Sequence, residues 1–155
     1  YGRLGKRIGQ YSKLLGMKII SYDIKNKKLD IKKTINKSNV IVITASSYDG
    51  RKILTKQHLN VLKKNSYIIN TSRYFSVDED EIIKKLKSGF LLGYATDSID
   101  GEHDKILYKK NKLIKLSKKY NIIITPHLGG FTYESLNETE EIMASYFFKY
   151  FKNKI

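Results

Sequence analysis

The sequence predicts an α/β protein, a parallel sheet whose strands are joined by helices. Three observations predict it. Short apolar runs alternate with segments of helical spacing. The run at 39–44 (NVIVIT) is continuous rather than alternating, as in a strand buried on both faces. Helix-starting and helix-stopping residues fall between the runs.

The elements follow in order. Residues 3–15 are expected to be helical, with Leu4, Ile8, Tyr11, Leu14 and Leu15 on one side and Gly16 as the stop. A short β-rich run at 18–22 closes on Asp23. A helix is expected at 30–37, then the strand at 39–44, a helix at 55–63 and a strand at 66–70. Ser76-Val77-Asp78-Glu79 reads as a capping box that opens a helix running to Ser88 and Gly89. A strand at 92–97, a Lys-rich helical stretch at 104–120 and a strand at 121–125 complete the alternation, and Pro126 follows. In the last segment Leu136, Met143, Tyr146, Phe147, Tyr150 and Phe151 recur at helical spacing. They form a bulky apolar stripe suited to a core or a domain interface. There is no internal repeat and no Gly/Ser/Pro-rich linker.

Composition narrows the function. The 155 residues suit one domain, and 41% are hydrophobic, enough for a core. No run approaches the roughly 20 apolar residues that span a membrane, and no signal peptide opens the sequence. The first residue is Tyr1, so the expectation is that a natural start is missing. With no cysteine, disulfides and thiol catalysis are excluded, and a cytoplasmic protein is the expectation. The net charge of +15 suggests nucleic acid, but the lysines spread over nearly every segment, only four residues are Arg, and no recognition motif accompanies them. A nucleic-acid partner is therefore not expected. The charge suits anionic small molecules instead.

Gly2-Arg3-Leu4-Gly5 opens the first helix. A helix N-terminus presents unpaired N–H groups and the positive end of a dipole, so it attracts a pyrophosphate, and glycines let the backbone approach it. Asp23 lies 18 residues after Gly5, at the end of the next β-rich run. A carboxylate there accepts hydrogen bonds from adenosine ribose hydroxyls and repels a 2′-phosphate, favouring NAD over NADP. Lys25, Lys27 and Lys28 weaken that preference somewhat. The expected fold is thus a Rossmann-type doubly wound parallel sheet that lacks its first strand and the first Gly of its fingerprint.

Four motifs then occur in one order: Tyr1-Gly2-Arg3-Leu4-Gly5 with Gly16-Met17 and Tyr22-Asp23; Ile69-Asn70-Thr71-Ser72-Arg73 followed by Val77-Asp78-Glu79; Asp97 with Glu102; and Thr125-Pro126-His127-Leu128-Gly129-Gly130. In this order they resemble the D-isomer-specific 2-hydroxy acid dehydrogenase family, which includes phosphoglycerate, lactate, glycerate and formate dehydrogenases. The likeness runs from residue 1 to about residue 151. It implies that Gly2, Arg3, Leu4 and Gly5 cradle the pyrophosphate of NAD and that Asp23 holds the adenosine ribose. Ala45 would line the adenine side, and Thr71, Ser72, Asp97, Gly129 and Gly130 would complete the cofactor site. Arg73, Glu102 and His127 match the family's catalytic positions. No metal is expected.

Those residue types suit the chemistry. Oxidising a 2-hydroxy acid removes a hydride from carbon and a proton from oxygen. The nicotinamide takes the hydride, and a histidine suits the proton near neutral pH. Glu102 would hold the His127 ring and stabilise its protonated form. Arg73 offers a planar bidentate partner for the substrate carboxylate.

The sequence also departs from the family. Tyr74 and Phe75 stand where the family has Gly after the arginine, which crowds the loop and bears on specificity. Thr44-Ala45-Ser46 replaces the usual His-x-Pro segment. The Pro that usually follows the catalytic Glu is absent, and a longer Lys-rich insert separates Glu102 from His127. Residues 1–131 are read as the NAD-binding domain and 132–155 as a C-terminal helix belonging to a substrate domain that precedes the phosphate loop in the family. Without the first strand, the sheet is expected to divide into two halves with no hydrogen-bonded bridge, leaving the isolated chain unstable or inactive. The resemblance leaves two functions open. One is a dehydrogenase acting on a D-2-hydroxy acid/2-keto acid pair, a homodimer, phosphoglycerate dehydrogenase-like among the possibilities. The other is a non-catalytic NAD-sensing regulatory domain.

Overall fold

The computed structural model describes residues 1–25, 30–46 and 50–152. Lys27 and Lys28, expected beside Asp23, and the last three residues of the expected final helix lie outside the described residues. The chain forms two compact units, Tyr1–Thr125 and Pro126–Ile155.

The first unit is an α/β structure of the Rossmann type. Its helices and strands alternate as α1 (Arg3–Leu14), α2 (Ile31–Lys37), β1 (Val40–Ile43), α3 (Lys56–Leu59), β2 (Ser66–Asn70), α4 (Glu79–Lys87), β3 (Leu91–Thr96), α5 (Lys105–Lys110), α6 (Lys112–Leu116) and β4 (Ile122–Ile124). All four strands are parallel and lie in chain order, β1-β2-β3-β4. Each connection returns through a helix, as a parallel ladder requires. The sheet is therefore one continuous ladder and not the two separated halves expected. The run at 18–22 adds no strand to it. In the expected order its partner is the first strand, and no described segment stands in that place, so its backbone groups enter no ladder.

The core lies against one face of this sheet. Ile68 in the middle of β2, Leu59 of α3, Ile82 of α4 and Leu113 of α6 are each fully buried. Burying such a side chain contributes about 1.5–3 kcal/mol relative to leaving it in water. Alternation along β2 is clear: Ser66, Ile68 and Asn70 are buried while Tyr67 is exposed. The continuous run at 39–44 is expected to be buried on both faces, and in β1 Val40, Ile41 and Val42 are half-buried and Ile43 is buried; on the other strands Tyr67, Leu92 and Ile123 are exposed. The apolar side of α1 is exposed too, at Leu4, Tyr11, Leu14 and Leu15.

Three boundaries differ from expectation. Helix α4 is capped by Asp78, whose carboxylate accepts from the Glu81 N–H at 3.4 Å. Ser76 instead ends a 3-10 turn over Tyr74–Ser76 and is fully buried. The cause is a short parallel bridge between Leu54 and Val77, with the Ser76 carbonyl accepting from Ile53 and Leu54 and Asp78 N–H donating to Leu54. That bridge holds Val77 extended, so the helix starts two residues late. The Lys-rich stretch at 104–120 is two helices, because Asn111 turns extended (ψ 134°) and caps α6 through its side chain and the Leu113 N–H at 2.8 Å. Helix α3 is shorter than expected, opened by a capping box of Thr55 and His58.

The second unit holds a 3-10 turn at Leu128–Gly130 and the long helix α7 (Tyr133–Lys152). The stripe of Met143, Tyr146, Phe147, Tyr150 and Phe151 is exposed. Along it the Phe147 and Phe151 rings lie 4.5 Å apart. Among the described residues no helix is long and apolar enough to cross a membrane.

Candidate functional site

Open α/β sheets bind ligands beyond the carboxyl ends of their strands. There the first unit gathers five of the residues singled out from sequence. Ala45 follows β1, Thr71, Ser72 and Arg73 follow β2, and Asp97 follows β3. Parallel register sets them side by side, since Ile43 pairs with Asn70, and Asn70 with Thr96.

Hydrogen bonds fix these loops to one another. Thr71 donates to the Ile43 carbonyl twice, through its N–H at 3.1 Å and its hydroxyl at 2.9 Å. Ser72, almost wholly buried, donates its hydroxyl to the Ala45 carbonyl at 2.5 Å, and that oxygen lies 3.2 Å from the Ser76 hydroxyl. The Ser98 hydroxyl donates to the Ser72 carbonyl at 3.4 Å. The Asp97 N–H donates to the Asn70 carbonyl at 3.1 Å, and its carboxylate accepts from the Thr125 hydroxyl. Arg73 itself is exposed and in extended conformation, at the entry to the 3-10 turn.

Beneath this loop lies a buried polar cluster that sequence reasoning missed. Asn70 is fully buried. Its carboxamide accepts from the Ser72 N–H at 3.0 Å and donates to the Arg73 carbonyl at 2.9 Å. The buried Tyr94 phenol is held by Thr96 and Asn70 side chains, and burial pushes it up to about 12, so it stays protonated at working pH. Ser76, Thr96 and Ser98 belong to the same layer. The available signal was a polar residue closing an otherwise apolar strand, Asn70 after Tyr67-Ile68-Ile69 and Thr96 in β3.

Glu102 stands in the loop after β3. Its carboxylate accepts from the Ile99 N–H at 3.1 Å and lies 3.5 Å from the His103 imidazole, a residue given no role from sequence. In the second unit His127 adopts the left-handed conformation (φ 55°, ψ 44°) and opens the turn that contains Gly129 and Gly130. Among the described residues no group of three His, Asp or Glu side chains is arranged to hold a metal ion.

The start of α1 fits a dinucleotide pyrophosphate. Gly2 is the N-cap, no side chain caps it, and no acidic residue stands in the first turn, where Arg3 is exposed. Space beside Gly2 is open. Gly5 is buried, and a Cβ there would come 2.9 Å from the Thr44 hydroxyl, so the helix passes close to the end of β1. Leu4 is exposed. Asp23 accepts from the Lys25 N–H at 2.9 Å.

Residues 1–129 match the sequence profile of the D-isomer specific 2-hydroxyacid dehydrogenase, NAD binding domain. The chain belongs to that family. The chain is 28% identical to the glyoxylate reductase of Thermococcus litoralis, over all of this chain and 48% of that protein. It is 30% identical to the D-3-phosphoglycerate dehydrogenase of Dictyostelium discoideum, over 87% of this chain and 35% of that protein. It thus spans between about a third and a half of these relatives' length. The crystal structure of D-lactate dehydrogenase from Aquifex aeolicus complexed with NAD and lactic acid superposes with a TM-score of 0.81 at 25% identity, covering 98% of this chain and 51% of that one. The NAD-complexed D-isomer specific 2-hydroxyacid dehydrogenase of Lactobacillus delbrueckii shares the fold with a TM-score of 0.85.

Proposed function

We propose that the full-length gene product carrying this chain transfers a hydride between NAD and a D-2-hydroxy acid/2-keto acid pair. The observation that carries the reading is the clustering of Ala45, Thr71, Ser72, Arg73 and Asp97 at the strand ends of an NAD-binding domain. Relatives named for glyoxylate, phosphoglycerate and glycerate differ in substrate and share this class.

In this reading Gly2, Arg3, Leu4 and Gly5 hold the pyrophosphate by backbone N–H groups at the start of α1, and Asp23 holds the adenosine ribose. Ala45 lines the adenine side. Thr71, Ser72, Asp97, Gly129 and Gly130 border the remainder of the cofactor. When bound, NAD supplies the hydride acceptor. Arg73 pairs with the substrate carboxylate in a bidentate fork and polarises the neighbouring carbonyl or hydroxyl. His127 takes the hydroxyl proton in oxidation and returns it in reduction, and Glu102 orients the imidazole. The domain division at 131/132, a homodimer and a cytoplasmic setting belong to the same proposal.

The test is NADH consumption by the full-length gene product across a panel of pyruvate, glyoxylate, hydroxypyruvate, its 3-phosphate and phenylpyruvate. Turnover of at least one is expected. H127N, chosen because asparagine tolerates the left-handed backbone at 127, should lower kcat by about 10²–10⁴. NADH binding without turnover of any panel member would instead favour the sensing domain. A sedimentation profile of a monomer would remove the dimer.

A further inference from the structure

We propose that Asn70 is the positioning residue of Arg73: one buried carboxamide closes hydrogen bonds to Ser72 and to Arg73 and so sets where the arginine leaves the sheet. This rests on the reading of Arg73 as the carboxylate partner.

The geometry is specific. Asn70 is the last residue of β2, and its own backbone is fixed by pairing with Ile43 on one side and Thr96 on the other. Its side chain has no exposure to water. The carbonyl end accepts from the Ser72 N–H at 3.0 Å, and the amino end donates to the Arg73 carbonyl at 2.9 Å. Complementary partners at the two ends leave one orientation of the amide. The Arg73 carbonyl also accepts from the Ser76 N–H at 2.9 Å, so the peptide that follows the arginine is held from two directions. No other amino acid reproduces this pair of bonds at that length: aspartate lacks the donor, leucine lacks both, and glutamine places its amide one carbon further out.

The consequence is mechanical. The Arg73 side chain is exposed and long, and by itself would spread over many rotamers. Its root, however, is anchored to the end of β2, an inner strand of the parallel ladder. The same turn is tied to the loop after β1 through Ser72 and Ala45. Asn70 therefore acts on the substrate only through Arg73 and never touches it. Misplacing a guanidinium by about 1 Å is enough to cost on the order of 10²-fold in rate.

A double-mutant cycle tests this in the full-length gene product, with the keto acid of the panel that is turned over fastest. N70A is expected to lower kcat/KM for the keto acid by about 10- to 100-fold, while KM for NADH moves less than about 2-fold. R73A removes the shared endpoint. In the R73A background N70A should cost almost nothing more, because its effect passes through the arginine. Full additivity of the two losses would overturn the proposal, as would an equal rise in KM for NADH. If N70A does not fold, N70D keeps the shape and the acceptor but loses the donor to Arg73, and the same cycle is read from it. Failure of both variants to fold would make Asn70 a determinant of the fold and overturn its positioning role. Absence of turnover by the wild-type protein, or full activity of R73A, would instead remove the reading of Arg73 on which the proposal stands.

Discussion

The Ser72 hydroxyl donates to the Ala45 carbonyl at 2.5 Å, which welds the loop after β2 to the loop after β1. S72A deletes this bond and the contact with Ser76. It is expected to lower unfolding free energy by about 0.5–1.5 kcal/mol, seen as a lower urea midpoint with an unchanged slope. A midpoint equal to wild type would mean that the two loops are held by Thr71 alone.

Alkaline stability should depend on Tyr94. Burial raises this phenol to about 12, against an ordinary value near 10 in the unfolded chain. The folded state thus favours the protonated form. Its contribution is complete below about pH 10 and is lost as pH rises through the folded value. Urea midpoints should fall between roughly pH 10 and 12, and Y94F should flatten that fall. The same slope in Y94F would assign the loss to other groups.

Glu79 predicts a trend that starts from acid. Burial, then Asp80 and Asp100, raise its carboxyl above the ordinary value. Its contribution is therefore complete below the ordinary carboxylate range and lost as pH rises through the folded value. Above the folded value the ionised side chain works against the fold. E79Q should raise the thermal midpoint at alkaline pH, and the gain should vanish in acid, below about pH 4. A gain that persists in acid would point to helix propensity instead.

Gly101 has a φ of 73°, and a Cβ placed there would lie 2.5 Å from the Leu107 Cβ. G101A combines left-handed strain with a collision against the first turns of α5. A loss of about 1–3 kcal/mol is expected from denaturant titration. A neutral result would show that the loop at 97–104 relaxes freely.

The alternation of apolar runs carried most of the fold. Val40–Ile43, Ser66–Asn70 and Leu91–Thr96 are strands because their residues are β-branched or apolar and bounded by helix signals, a local property. The failures came from partners distant in sequence. The run at 18–22 has the composition of a strand, but pairing decides whether it is one. Ser76 has the chemistry of a cap, yet the bridge of Val77 to Leu54, over twenty residues away, takes precedence. For the site, residue type and order singled out Arg73, Asp97 and Glu102 as candidates. Of the supporting layer only Asn70, a polar residue closing an apolar strand, left a signal; Ser76, Tyr94 and Ser98 carry no local pattern that marks them. Only the fold reveals that these four lie together in the interior.

Strand β1 forms one rim of the ladder, and among the described residues no strand adjoins its outer side. Natural sheets blunt such rims with lysine, proline or bulges. Val40-Ile41-Val42-Ile43 has none of these. What opposes stacking of one molecule on another is the overall charge of +15, a repulsion that salt shortens to about 8 Å at physiological strength. Solutions of this chain should therefore stay clear in dilute buffer and scatter light as sodium chloride is added, the reverse of ordinary salting-in.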